Sequence, residues 1–301
     1  MAFRPSYLSL FEKGELKRRI SRLEEFLREC RLCPRECRVD RSNGELGYCG
    51  APSELMVSSA FPHFGEEPPL VGRHGSGTIF LTHCNLRCVF CQNYDISHFG
   101  RGERITSSEM ARAMVRLQEM GCHNINFVTP THYAPQIVAS LLEAIEMGLR
   151  LPLVYNCSGY ESIEVIQLLE GVIDIYMPDA KYMDPKFSEK FSNAPDYPEV
   201  LRKVLKEMHR QVGDLKINAS GIAERGLLIR HLVMPNGIAS SEAVLKFIAE
   251  EVSPHSYVNI MAQYRPEYKA HEYPEIDHRV THKDYLEAIQ IAKRFRLYRG
   301  F

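Results

Sequence analysis

The chain has 301 residues, of which 45% are hydrophobic and 25% charged, and its formal net charge is -1. This is ordinary usage for a folded globular protein, and the near-neutral balance excludes the broad basic field by which proteins gather nucleic acid. No apolar run approaches the roughly 18 residues that a membrane span needs, and the opening MAFRPSYLSLFEKGEL lacks the apolar core of a secretory leader, so a cytoplasmic protein without membrane or nucleic-acid partners is expected.

The stretch from Glu12 to Arg41 carries seven acids against ten bases and reads as a solvated helix laced with ion pairs. Within and beyond it, CRLCPRECRVDRSNGELGYC places Cys30, Cys33, Cys37 and Cys49 at intervals of x2, x3 and x11. Four thiolates close a metal's coordination, so this site should be structural or an electron relay, and spacing alone does not separate zinc from an iron–sulfur cluster. A Gly/Pro-rich connector, FPHFGEEPPLVGRHGSG, follows. Residues 1–75 are therefore expected as a four-cysteine metal-binding segment with its connector, and 76–301 as the main body.

From Gly77 onward, β-rich runs alternate with amphipathic helical patterns. TIFLT (78–82) predicts a first strand, and Thr106 with Glu109 predicts a capping box opening a helix that Gly121 ends. INFVT (125–129) precedes a helix begun near Pro135 and ended by Gly148. The unit recurs as PLVYN with helix 161–170, IDIYMP with helix 197–212, LLIRHLV with helix 240–251, and YVNIM with helix 282–296. DLKINAS (214–220) is expected to pair antiparallel with the strand after Gly226. Six such units imply a parallel sheet with crossover helices, too few for a full eight-fold barrel, and active residues of such folds sit at the strands' carboxyl ends. The loop 264–280, rich in Tyr, His and Pro, is long enough to be either functional or disordered.

At the end of the first strand, THCNLRCVFCQN holds Cys84, Cys88 and Cys91, with Phe90 just before the last. Three protein ligands leave one metal position open, and an open position is where chemistry happens. The alternative is a zinc knuckle or a structural cluster borrowing a distant cysteine. Of the two remaining cysteines, Cys122 reads as a small core residue.

This spacing and its aromatic resemble the signature of the radical S-adenosylmethionine superfamily. In that family three thiolates hold three irons of a 4Fe-4S cluster, S-adenosylmethionine chelates the fourth, and an electron then releases a 5'-deoxyadenosyl radical. GSGTIFLTHCNLRCVFCQN, VTPTHYAPQI, VYNCSGY, DIYMPDAKY, LLIRHLVMPN and VNIMAQYRP further resemble the branch related to pyruvate formate-lyase activating enzyme, which implies a partial (β/α)6 barrel with an N-terminal Cys-rich extension. By this resemblance Phe90, Asn156, Ser158, Asp179, Lys181, Arg230 and Gln263 are the cofactor contacts, Asn156 and Ser158 near its ribose or carboxylate, and Cys157 lies beside the cofactor. Where relatives carry Gly-Gly-Glu, this chain has TPTH, so Thr129, Thr131, His132 or a backbone carbonyl must serve the cofactor's amino group; His132 is assigned no chemistry. Relatives often add clusters, which tips the N-terminal cysteines slightly toward a second 4Fe-4S cluster rather than zinc. The resemblance implies a flavodoxin or ferredoxin reductant and, as substrate, a glycine Cα of a glycyl-radical enzyme. Modification of another peptide, nucleic acid or metabolite, and a non-enzymatic iron–sulfur electron carrier, are the other readings.

Overall fold

A computed structural model describes residues 3–301. Among these residues one sheet contains β1 (Leu55–His63), β2 (Ser76–Leu81), β3 (Glu103–Ile105), β4 (Ile125–Val128), β5 (Leu153–Cys157), β6 (Ile175–Pro178), β7 (Lys216–Ile217), β8 (Ala223–Leu232) and β9 (Tyr257–Met261). Six of them, β2, β4, β5, β6, β8 and β9, run parallel in that spatial order, each beside its predecessor. Among the described residues no pairing joins β9 back to β2, so the protein is a partial (β/α)6 barrel with an N-terminal Cys-rich extension. The short β7 pairs antiparallel with the start of β8, as expected of 214–220.

Helices Ser107–Glu119, Ala134–Glu146, Ile163–Leu168, Tyr197–Val212, Ser241–Phe247 and His282–Arg294 follow the parallel strands in turn. The Thr106–Glu109 capping box forms in full, with Thr106 Oγ1 accepting from Glu109 N and Glu109 Oε2 accepting from Thr106 N at 2.7 Å. A helix not expected from sequence, Pro185–Ser192, is inserted before Tyr197.

Three expectations are corrected. Residues 55–63, assigned to the N-terminal segment and in part to its connector, form β1, which pairs antiparallel with β2. Pro62 hid this strand, because proline cannot donate to a ladder; β3 pairs only with Leu55, Met56 and Val57, so beyond them β1 is an edge that tolerates it. Secondly, the Glu12–Arg41 stretch is not one solvated helix. Helix Glu15–Arg28 buries Leu16, Leu23 and Phe26, the chain turns irregular at Glu29, and Arg41 is buried. Thirdly, the helix expected over 240–251 is α-helical only to Phe247 and continues as a wider turn over Ile248–Val252.

Alternation along the strands sorts side chains into two cores. Leu153 and Tyr155 point outward to the large core beneath the helices, whereas Val154 points inward, joining Ile175, Met177 and Leu228. The connector turns across this inner core: Leu70 packs into it, and Glu67 Oε1 accepts from Asn259 Nδ2 at 2.9 Å. The next inward positions along the chain direction are Asn156 on β5 and Arg230 on β8. An apolar floor therefore lies beneath a polar mouth, at the carboxyl ends where this architecture builds its sites. Among the described residues no helix is long and apolar enough to cross a membrane.

Gly226, at φ 127°, lets β8 pass close beneath the preceding segment. A Cβ there would sit 2.5 Å from Asp214 O and from Leu215 Cα, backbone atoms that cannot swing away. Gly226→Ala should therefore cost about 2 kcal/mol or more of stability in urea unfolding; an unchanged midpoint would contradict this account of the β7–β8 junction.

Candidate functional site

The loop after β2 bends through left-handed backbone at His83 and Arg87, bringing Cys84, Cys88 and Cys91 to one mouth. Each sulfur has a hydrogen-bonding neighbour. Leu86 N–H donates to Cys84 Sγ (3.4 Å), Ser192 Oγ to Cys88 Sγ (3.0 Å), and Cys91 Sγ lies 3.1 Å from Ser97 Oγ. Burial pushes the Cys84 thiol up to about 12, neighbouring Cys88 adding to the effect. Burial also raises Cys88, against the pull of Lys181 and the Ser192 hydrogen bond. Bare, these groups keep their protons at neutral pH; a bound metal takes the protons' place and favours the thiolates. Among the described residues no three His, Cys, Asp or Glu side chains converge as ligands of a single ion. A cubane takes one thiolate per iron, so three soft donors spread around a mouth suit a cluster.

The thiols line a cavity of about 250 Å³, and all ten residues expected there from sequence share it: the three cysteines with Phe90, Asn156, Ser158, Asp179, Lys181, Arg230 and Gln263. Arg230 organises the polar side. Its Nε donates to Asp179 Oδ1 (2.8 Å), its Nη2 to Asn156 Oδ1 (2.7 Å), and its Nη1 lies 3.6 Å from Glu66 Oε2. Lys181 Nζ donates to Asp179 Oδ2 (2.6 Å). Burial alone would raise Asp179, but Arg230 and Lys181 outweigh it and hold the carboxyl below its ordinary value. Phe90, also in the lining, packs edge-on against Tyr264 at 5.8 Å and Tyr182 at 6.5 Å.

Within TPTH only Thr129 reaches the cavity, from a left-handed backbone. Thr131 Oγ1 donates to Glu161 (2.9 Å), and buried His132 lies with Nε2 2.7 Å from Thr82 O. Cys157 lines the cavity; Cys122 is a buried core residue. Of the N-terminal quartet, Cys30, Cys33 and Cys49 are buried and Cys37 half-buried, and none lines this cavity.

Sequence reasoning missed the supports. Tyr197 OH accepts from Lys181 N (3.0 Å) and reaches the Asp179 and Ser158 carbonyls (2.7 and 2.9 Å), pinning the ends of β6 and β5 together. Ser192, 104 positions from Cys88, belongs to the unexpected helix. The loop 264–280 is ordered: Lys269 N–H donates to Val89 O (2.9 Å) in the cysteine loop, and Tyr268 stacks on Tyr94 at 5.3 Å. No spacing signal marks any of these.

The profile of the Radical SAM superfamily matches residues 78–224, which contain the three cysteines. Two uncharacterised proteins of Methanocaldococcus jannaschii are similar over most of the chain. MJ0674 is 33% identical over 284 residues, covering 91% of this chain and 77% of its own, and MJ0808 is 21% identical over 294 residues, covering 90% and 78%. Among solved structures, a radical SAM methyltransferase from Sphaerobacter thermophilus aligns at a TM-score of 0.47 and 14% identity, over 72% of this chain and 64% of that one.

Outside the cavity lining, Glu161 accepts from Thr131 and from Tyr155 OH (3.0 Å), and burial raises its carboxyl from 4.5 to about 7. Between those values the folded protein keeps a proton that the unfolded chain has released. The contribution to stability is thus fullest below pH 4.5 and is lost as pH rises to about 7, a change of about 3 kcal/mol. Glu161→Gln should accordingly flatten the decline in melting temperature from about pH 5 to about pH 8, and identical slopes in variant and wild type would refute this burial cost.

Proposed function

Residues 78–224 form a Radical SAM superfamily domain, and from that premise we propose an activase-like enzyme that reductively cleaves S-adenosylmethionine and removes a hydrogen atom from a glycine Cα of a partner protein. The observation that carries the chemistry is the meeting of three thiols and seven further expected residues on one cavity. The glycine substrate rests on the resemblance of the strand-end segments. When bound, the cluster and S-adenosylmethionine supply the one-electron chemistry that produces the hydrogen-abstracting species. A small, strongly reducing electron donor of the flavodoxin or ferredoxin class is required.

Cys84, Cys88 and Cys91 would hold the cluster, with the Ser192 and Ser97 hydroxyls and the Leu86 N–H hydrogen-bonding their sulfurs. Lys181 spends one N–H on Asp179 and has two left, which suit the carboxylate of S-adenosylmethionine. Arg230 is more fully engaged, so its part is to fix Asp179 and Asn156 while adding positive charge beside that carboxylate. Ser158 and Gln263 offer further polar contacts, Thr129 would serve the cofactor's amino group, and the Phe90–Tyr264 pair would exclude water from one wall.

Anaerobic reconstitution followed by mixing with glycyl-radical enzymes tests the substrate: a glycyl-radical signal that needs both S-adenosylmethionine and Cys88 is expected. Release of 5'-deoxyadenosine without such a signal would keep the chemistry and discard the glycine. Arg230→Ala should weaken S-adenosylmethionine binding roughly ten- to a hundredfold while iron content persists. If the variant instead loses several kcal/mol of folding stability with unchanged cofactor affinity, Arg230 serves Asp179 alone.

A further inference from the structure

Arg41 is an unusual charge. It is only 1% exposed, yet it has no ion-pair partner among the described residues. Nη1 donates to His132 O (2.8 Å), Nη2 donates to Pro52 O, and Nε has no acceptor. Among the described residues the Tyr133 ring, 5.9 Å from its carbon, offers the only other weak counterweight. Backbone carbonyls satisfy hydrogen bonds but do not cancel a charge, and a buried guanidinium needs an anion close by.

The Cys30–Cys49 segment surrounds Arg41 in sequence, and the Pro52 carbonyl that Nη2 meets lies three residues past Cys49. A thiol carries no charge to set against a guanidinium, whereas a cubane with four thiolates is anionic. Backbone donors of the kind thiolate sulfurs accept are already in place: Tyr48 N–H points at Cys37 Sγ (3.3 Å) and Ala51 N–H at Cys49 Sγ (3.5 Å).

We infer that Cys30, Cys33, Cys37 and Cys49 hold a second, anionic metal–thiolate centre for which Arg41 is the buried counter-charge, and that this centre braces the loop of Cys84, Cys88 and Cys91. The bracing runs through two arginines. Arg35, between Cys33 and Cys37, donates from Nε to Asn85 O (3.0 Å), inside the cysteine loop, and from Nη2 to Ser192 O (2.9 Å), the residue whose hydroxyl serves Cys88. Arg41 holds the His132 carbonyl, and the His132 ring in turn holds Thr82 O, two residues before Cys84. Metal in the N-terminal segment therefore sets where the first loop sits. This inference stands on the quartet and Arg41, independent of what substrate the barrel serves.

The test uses the full chain, reconstituted anaerobically with iron and sulfide, with Cys84, Cys88 and Cys91 all replaced by Ala so that any metal left belongs to the quartet. About four irons with sulfide per chain support the centre as a cubane, the form that suits thiols of which no three converge on a single ion. A folded variant without them overturns it. Should that variant not fold, iron counts on the wild type decide: more than four per chain support the centre, and four refute it. On whichever chain carries the metal, Arg41→Met should raise the rate of metal loss to a chelator roughly ten- to a hundredfold. Arg41→Lys should restore most of the retention. A merely structural arginine would lower the melting temperature of metal-free and metal-bound protein alike. A counter-charge predicts that Arg41→Met leaves the metal-free chain as stable or more so, and metal retention unchanged by Arg41→Met would overturn the assignment.

Discussion

The mouth of this barrel depends on one ion network, Asp179 held between Arg230 and Lys181. Inside a parallel sheet a charge must be paired or it unfolds its surroundings, and here the pairing also does the work of alignment. Asp179 follows β6, Arg230 lies on β8, and Asn156, the second hydrogen-bond acceptor of the guanidinium, lies near the end of β5. One side chain thereby fixes three strand ends around the cavity. Lys181, tied to the same carboxylate, stands close enough to Cys88 to pull its thiol down. The polar face that would meet a zwitterionic cofactor is thus continuous with the wall that holds the cysteines.

The opposite requirement governs the thiols. Soft, desolvated donors stay protonated unless a cation replaces the proton, so folding this loop creates a demand for metal that the residues alone do not meet. The hydroxyls of Ser192 and Ser97 and the Leu86 N–H supply the hydrogen bonds that sulfur accepts once charged. Arg35 reaches the same loop from the N-terminal segment, so the loop is gripped from outside the barrel as well as from within.

Much of this was legible in the sequence, and the reasons are physical. Period-two and period-3.6 patterns mark elements that bury one face, so the six strand–helix units and the Thr106 cap were readable. The cysteines were readable because they are local: Cys84, Cys88 and Cys91 lie within one loop. The cavity contacts came from resemblance, and each is a strand-end residue that the barrel gathers. What stayed hidden is long-range or contrary to local rule. Pro62 argued against a strand that only its edge position permits. Ser192, Tyr197 and Glu66 act on residues far away in the chain, with nothing in their own neighbourhoods to announce it. Arg41 looked like one more solvated base in a charged run, and only the packing of the N-terminal segment buries it.

The central claim is a cluster with three cysteine ligands and one iron left for S-adenosylmethionine. Mössbauer spectroscopy on the iron-57-loaded wild-type protein, before and after S-adenosylmethionine is added, tests that most directly. One iron per chain should change its parameters on addition while the others keep theirs. Irons that all ignore the cofactor would contradict the account.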